Sequence, residues 1–211
     1  MRRGVFITFE GPEGSGKSSQ AKRLVRWLGQ RGYPAVFVRD PGSTSLGRAL
    51  RCVLLHAPLT AISPVAEALL FIGARVQLVE ERIRPALANG RLVVCDRFHD
   101  ATLAYQGYGG GVDVEWLDRV GRQAIRGVVP QVTLLLDVPT SLGFRRLRRR
   151  RRRDRMEEKA AAFHRRVRAG YRRLAARWPK RVILIDASQR PDVVQTHIRR
   201  AILRRLNRIT P

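Results

Sequence analysis

Five short, nearly unbroken apolar runs punctuate the chain: Val5–Phe9, Ala35–Val38, Leu92–Cys95, Val132–Leu136 and Val182–Ile185. Between them apolar residues recur at spacings of three and four. Ala21, Leu24, Val25 and Leu28 trace one amphipathic helix; Leu69, Ile72, Val76, Val79, Ile83 and Leu87 trace another within 65–87. Gly32-Tyr33-Pro34, Arg39-Asp40-Pro41-Gly42 and Asn89-Gly90 supply the stops and turns. Strands with no polar face suit a parallel sheet covered on both sides. Their alternation with helices predicts an open, doubly wound α/β domain of five parallel strands with helices on both faces. Ligands of such sheets bind beyond the carboxyl ends of the strands, and here those ends carry Glu10, Asp96 and Asp137. With no internal repeat and no linker, a single domain over 1–211 is expected.

Composition narrows the classes. No apolar run approaches the ~18–20 residues of a membrane helix. No signal-peptide core follows Met1-Arg2-Arg3. Cys52 and Cys95 are too few for a disulfide framework and read as reduced thiols of a cytoplasmic protein. The charge is unusual: 42 Lys+Arg against 17 Asp+Glu give +25, and only four of the 42 are lysines. Residues 145–155 hold nine arginines and one aspartate. A polyanionic partner is expected, either nucleic acid or nucleotide phosphate.

One motif favours nucleotide phosphate. Gly11-Pro12-Glu13-Gly14-Ser15-Gly16-Lys17-Ser18 fits the P-loop pattern G-x-x-x-x-G-K-[ST], with a predicted strand before it and a helix after it. The glycines let successive backbone N–H groups curl around phosphate oxygens. Lys17 reaches the outer phosphates, the Ser18 hydroxyl can ligate Mg²⁺, and the helix contributes its positive N-terminal end. Asp96 closes the third strand, where it either helps hold Mg²⁺ through water or caps the next helix.

The segment after Asp96 narrows the substrate. Asp96-Arg97-Phe98-His99 and Ala104-Tyr105-Gln106-Gly107-Tyr108-Gly109 resemble signatures of thymidylate kinases. So do Arg39-Asp40-Pro41-Gly42-Ser43-Thr44, Leu70-Phe71-Ile72-Gly73-Ala74-Arg75 and Asp154-Arg155-Met156-Glu157 followed by Phe163 and Tyr171. They run in the family's order from about Val5 to Ser188. The resemblance implies transfer of the γ-phosphoryl group of Mg-ATP to dTMP, by a homodimer packed through helices. It implies that Phe71 stacks on the thymine, Arg75 hydrogen-bonds a base carbonyl and Thr102 touches the base edge. Tyr105 would pack against the sugar, Glu13 would accept from the 3′-OH, and Arg51 and Arg97 would hold the acceptor phosphate. Gln106 would lie near the base or its covering loop. Plainer readings stand beside these: Phe71 as core on an apolar stripe, Tyr105 as ordinary packing, Arg51 as one more surface arginine.

Phosphoryl transfer requires cations on the equatorial oxygens. Thymidylate kinases supply one either from an arginine inside the loop or from arginines on a flexible lid. Position 14 is glycine, and 145–155 falls where the family's lid lies, so an Arg-rich lid is expected over about 142–156. Arginines repeated at i,i+4 repel one another on a helix, so this segment is expected to order on a polyanion. Arg148 and Arg150 match the family's lid arginines and Arg153 is a neighbour, with the register open because nearly every position is arginine. A solvated basic face or a nucleic-acid patch is the competing reading. Two departures from the family pattern, Ala101 for serine and Gly110 for arginine, leave open a kinase for another pyrimidine or modified nucleotide. A nucleic-acid-binding protein on a P-loop scaffold is the remaining alternative. With 7% aromatic residues and no stacking platform, nucleic-acid binding is expected to be non-specific and confined to low salt.

Overall fold

The structure, a computed structural model, describes residues 4–56, 62–147 and 154–209, the last three of these by backbone alone. All five apolar runs are strands: β1 (Val5–Glu10), β2 (Ala35–Arg39), β3 (Leu92–Asp96), β4 (Val132–Asp137) and β5 (Val182–Asp186). They form one parallel sheet in the order β2-β3-β1-β4-β5. Val5 lies opposite Leu92 and Ile7 opposite Val132. Every residue of β1 and β3 is buried, whereas β2 and β5 at the edges are partly open. Burial on both faces is why the central runs carry no polar alternation.

The helices are α1 (Lys17–Gly29), α2 (Ser45–His56), α3 (Pro64–Leu78), α4 (Arg84–Ala88), α5 (His99–Thr102), α6 (Val114–Ala124), α7 (Thr140–Leu147), α8 (Ala161–Arg177) and α9 (Pro191–Ile209). Alternate residues of β1 sort to the two faces. Val5, Ile7 and Phe9 pack with Leu24 and Leu28 of α1 and Ile198 and Ile202 of α9. Phe6 packs on the other face with Leu78, Val79 and Ile83. A further cluster of Tyr105, Leu135, Phe163, Val167 and Tyr171 forms the floor beneath the site.

The single helix expected over 65–87 is three pieces: α3, a π-helical turn at Val79–Ile83, and α4. Pro85 accounts for the interruption, because it has no N–H to give the Glu81 carbonyl one α-turn back. A second π-helical turn, Leu103–Gly109, carries the Ala-Tyr-Gln-Gly stretch and was not foreseen from periodicity. The span expected as a lid divides: 142–147 belong to α7, the backbone N–H of Arg155 bonds the Leu55 carbonyl at the end of α2, and 148–153 lie outside the described residues.

Candidate functional site

The chain crosses from β3 on one side of β1 to β4 on the other, so the loops part at the carboxyl end of β1. The Gly11–Ser18 loop emerges there and runs into the N-terminus of α1. Lys17 Nζ donates to the carbonyls of Gly11 (2.9 Å) and Pro12 (2.8 Å) and to Ser15 Oγ (3.3 Å). Burial, then the nearby Arg97, lowers its pKa to about 8. Ser18 Oγ donates to Asp96 Oδ2 at 2.5 Å, and Arg39 Nε donates to the same oxygen at 3.1 Å. An adjacent hydroxyl and carboxylate are hard oxygen donors of the kind Mg²⁺ takes alongside phosphate. No group of three or more His, Cys, Asp or Glu side chains able to hold a metal occurs among the described residues. A magnesium site completed by substrate phosphate and water fits that donor set.

A cleft of about 380 Å³ opens from the loop. Its lining includes Glu13, Gly14, Gly16, Lys17 and Ser18 of the loop, together with Phe71, Arg75, Thr102, Tyr105 and Gln106. Phe71 is only partly buried and belongs to none of the three core clusters, so the plain core reading does not hold. Arg75, one turn further along α3, is 2% exposed. It donates from Nε to Asp40 Oδ2 (2.5 Å) and from Nη2 to Thr102 Oγ1 (2.9 Å). Its Nη1 is buried and meets no hydrogen-bond partner among the described residues.

Arg97 leaves the end of β3 in a left-handed conformation, φ 70°. Its N–H is tied to the Phe9 carbonyl at 3.0 Å. Such a conformation in a non-glycine residue persists only where the surroundings enforce it. Its guanidinium pairs with Glu13, donates to Tyr105 Oη (3.1 Å) and Tyr171 Oη (3.3 Å), and lies 4.7 Å from the Tyr105 ring centre. Tyr105 Oη in turn donates to Glu13 Oε1 at 2.7 Å. Burial opposes charge on Glu13, but Arg97, Lys17 and the Tyr105 hydroxyl outweigh it and bring its pKa down to about 2. Arg51 donates to the Pro41 carbonyl at 3.2 Å. Its pKa is lowered by burial, then by Arg39 and Arg97, so three guanidinium groups share this end of the cleft.

Several lining or supporting residues were not singled out from the sequence as site residues. Arg39 and Asp40 stand in the sequence as a turn and as part of a stretch resembling the family, with no site role of their own, although a charged pair at the end of a strand is a legible signal. Glu10, at the end of β1, is fully buried and accepts from Phe98 N (2.7 Å) and Tyr171 Oη (2.8 Å), fixing the turn that carries Arg97. Burial and the charge of Asp100 push its pKa up to about 8. Asp137 closes β4 but is held by both forks of Arg168, at 2.7 and 2.9 Å, and does not line the cleft. Ala101 lines the cleft and Gly110 does not.

The loop tip packs backbone to backbone on α7. A Cβ on Gly14 would lie 2.2 Å from the Gly143 carbonyl oxygen, and one on Gly143 would lie 2.3 Å from that of Glu13. Arg146 ties the same helix across the site, donating to the carbonyls of Gly14 (3.4 Å), Ala187 (2.8 Å) and Ser188 (3.1 Å). Arg148, Arg150 and Arg153 lie outside the described residues.

The family described as thymidylate kinase matches residues 9–198. The chain is 47% identical over 200 residues to the thymidylate kinase of Pelotomaculum thermopropionicum, covering 94% of this chain and 93% of that protein. It is 42% identical over 205 residues to that of Deinococcus radiodurans, covering 97% and 99%. The crystal structure of thymidylate kinase from Ehrlichia chaffeensis superposes with a TM-score of 0.77 at 30% identity, over 95% of this chain and 99% of that one. A P-loop facing a pocket walled by Phe71, Arg75, Thr102, Tyr105 and Gln106 agrees with these matches, and the chain belongs to the thymidylate kinase family.

Proposed function

We propose that the chain, acting as one kinase domain over 1–211, transfers the γ-phosphoryl group of Mg-ATP to dTMP, giving ADP and dTDP. The observation that carries the acceptor assignment is Arg75 Nη1, a buried donor with no partner among the described residues, beside the half-buried ring of Phe71. An unpaired buried guanidinium N–H is costly, and a base carbonyl stacked over Phe71 would satisfy it. Thr102, bonded to Arg75, borders the base edge, and Gln106 closes the far wall. Tyr105 packs against the sugar where a 2′-OH would project, and Glu13 accepts from the 3′-OH.

Arg51 and Arg97 hold the acceptor phosphate, with Arg97 kept in place by Glu13, Tyr105 and Tyr171. Gly11, Pro12, Glu13, Gly14, Ser15 and Gly16 form the loop around the donor phosphates, with backbone N–H groups donating from every position but Pro12, and Lys17 reaches the outermost two. Ser18 and Asp96 would hold Mg²⁺, which when bound neutralises donor phosphate charge. An acceptor phosphate oxygen attacks the γ-phosphorus in line, and ADP leaves from the opposite side. Arg148, Arg150 and Arg153 supply the transition-state cations that a side chain at position 14 does not.

The test is turnover with Mg-ATP and dTMP, dUMP, dCMP, dGMP or dAMP, followed as ADP release. dTMP is expected to give the highest kcat/KM; another acceptor turning over in place of dTMP would refute the assignment. The active form is a homodimer: Leu46 and Val53 on α2, and Val65 and Leu69 on α3, are exposed apolar pairs at helical spacing on two neighbouring helices. Two free cysteines support a reducing cytoplasm. No helix among the described residues is long and apolar enough to cross a membrane. Contacts with nucleic acid are non-specific and confined to low salt.

A further inference from the structure

Glu67, Phe71 and Arg75 recur every four residues along α3 and form one stripe. Phe71 and Arg75 reach the cleft. Glu67 lies deeper and is 2% exposed. Its Oε1 accepts from Gln106 Nε2 at 2.7 Å and from Lys159 Nζ at 3.4 Å, and its Oε2 pairs with Arg155. Arg155 is itself fixed, with Nε donating to the Leu54 carbonyl at 2.7 Å and its backbone N–H to that of Leu55 at 3.0 Å.

This arrangement decides which way the Gln106 amide points. The two ends of an amide have nearly the same shape and differ only in hydrogen-bonding sense. A carboxylate can only accept, so the amide nitrogen must face Glu67. The amide oxygen is the end left for the cleft, and it forms no hydrogen bond within the described residues. The cleft is therefore lined by a guanidinium donor, Arg75, and by an amide whose free end, Gln106 Oε1, is an acceptor. Thymine and uracil present the complement, a carbonyl oxygen beside a ring N–H. Cytosine presents the reverse, an amino donor beside a bare ring nitrogen.

We propose that Glu67, held by Arg155 and Lys159, is a specificity-determining positioning residue that locks the Gln106 amide with its oxygen toward the acceptor base, so that the site reads a ring N–H and rejects cytosine. The proposal rests on the dTMP reading above. By it, Arg155 belongs to the acceptor pocket rather than to the arginines that meet ATP.

The test compares kcat/KM for dTMP, dUMP and dCMP in the wild type, Glu67→Gln, Arg155→Lys and Gln106→Leu, with dCMP also scored as a competitive inhibitor. In Glu67→Gln the neighbour of Gln106 both donates and accepts, so the amide is free to turn. The preference for dTMP over dCMP is expected to fall at least ~10-fold, the scale of one hydrogen bond. The preference for dTMP over dUMP should stay within about twofold, because uracil keeps the N–H that one hydrogen bond reads. Arg155→Lys keeps a donor on Glu67 and should retain the wild-type preference. An unchanged dTMP:dCMP preference in Glu67→Gln, or an equal fall in both preferences, overturns the proposal. Should Glu67→Gln not fold, wild-type selectivity in Gln106→Leu overturns it independently. A wild type that does not phosphorylate dTMP overturns the functional reading and this proposal together; wild-type selectivity with unaffected variants overturns this one alone.

Discussion

Gly14→Ala places a methyl group in the contact between the phosphate loop and α7. Gly14 has φ 71°, a left-handed conformation that costs a residue with a Cβ about 1–2 kcal/mol. The new carbon would lie 2.2 Å from the Gly143 carbonyl oxygen and 2.6 Å from its Cα. An ordinary contact is about 3.5 Å, so the first turn of α7 must retreat by roughly 1 Å. Overpacking of this kind costs about 1–3 kcal/mol. Together the two terms predict a loss of about 2–5 kcal/mol, a fall in Tm of roughly 5–15 °C for a chain of this size. The retreat also drags Arg146 away from the Gly14, Ala187 and Ser188 carbonyls. A misplacement of ~1 Å in a phosphoryl-transfer site costs about 10²-fold in kcat. Gly111→Ala isolates the strain: φ is 83° with nothing within 4 Å of a Cβ. That variant should lose only about 2–6 °C and keep its kcat. Thermal melts and an ADP-coupled assay on both variants decide the matter. Wild-type kcat in Gly14→Ala, or a Tm loss no larger than that of Gly111→Ala, would refute the reasoning.

Four further outcomes are expected. Lys17→Ala should nearly abolish turnover while the protein still melts cooperatively; residual kcat above about a tenth of wild type would contradict the role of Lys17 in the electrostatic stabilisation on which such a site depends. Replacing Arg148 and Arg150 together should lower kcat far more than it weakens ATP binding measured by calorimetry, and equal losses would count against a transition-state role. Asp40→Asn leaves Arg75 buried beside a neutral partner and should cost about 3–5 kcal/mol in urea unfolding; a loss below about 1 kcal/mol would show that the pair contributes little. Glu10 keeps its proton to about pH 8 when folded, against an ordinary value of 4.5. The native state thus binds more protons across that window, and stability falls as pH rises through it, by at most about 1.4 kcal/mol per unit. Glu10→Gln should remove this slope, and urea midpoints that run parallel in the two proteins from pH 5 to 9 would contradict it.

The strands were legible because central parallel strands are buried on both faces, and that burial erases any polar alternation: Leu92–Cys95 could be little else. The loop was legible because its glycines and Lys17 are contiguous. The cleft wall carrying Phe71 and Arg75 was legible only through family resemblance, since hydrophobic periodicity reads Phe71 as one more core residue of a long helix and gives Arg75 no role. The π-helical turn at Leu103–Gly109 leaves no mark on hydrophobic spacing, yet it sets where Tyr105 and Gln106 point. Glu67 and Arg155 are 88 positions apart, and a pairing at that separation depends on how α3 and the 154–159 segment meet, which no local pattern encodes. Arg155 also shows where composition misleads. Counted in a run of mutually repelling charges, it is instead neutralised and buried.

The charge balance of the cleft bears on why so many arginines are retained. The lining carries Lys17, Arg39, Arg51, Arg75 and Arg97 against Glu13, Asp40, Asp96, Asp154 and Glu157, a formal charge of zero. Other carboxylates are already matched, Asp137 by Arg168, Asp100 by Arg181 and Glu115 by Arg177. A nucleoside triphosphate and a monophosphate together bring about six negative charges, of which one Mg²⁺ offsets two. Roughly four must therefore be met from outside the lining. Position 14 cannot contribute, because the Gly143 backbone occupies the space a side chain would need. Six consecutive arginines, Arg148 to Arg153, lie in the sequence between the lining residues Leu147 and Asp154, and they outnumber the deficit. Loss of any one of them should then be buffered by its neighbours, which is why the mechanistic test removes Arg148 and Arg150 together.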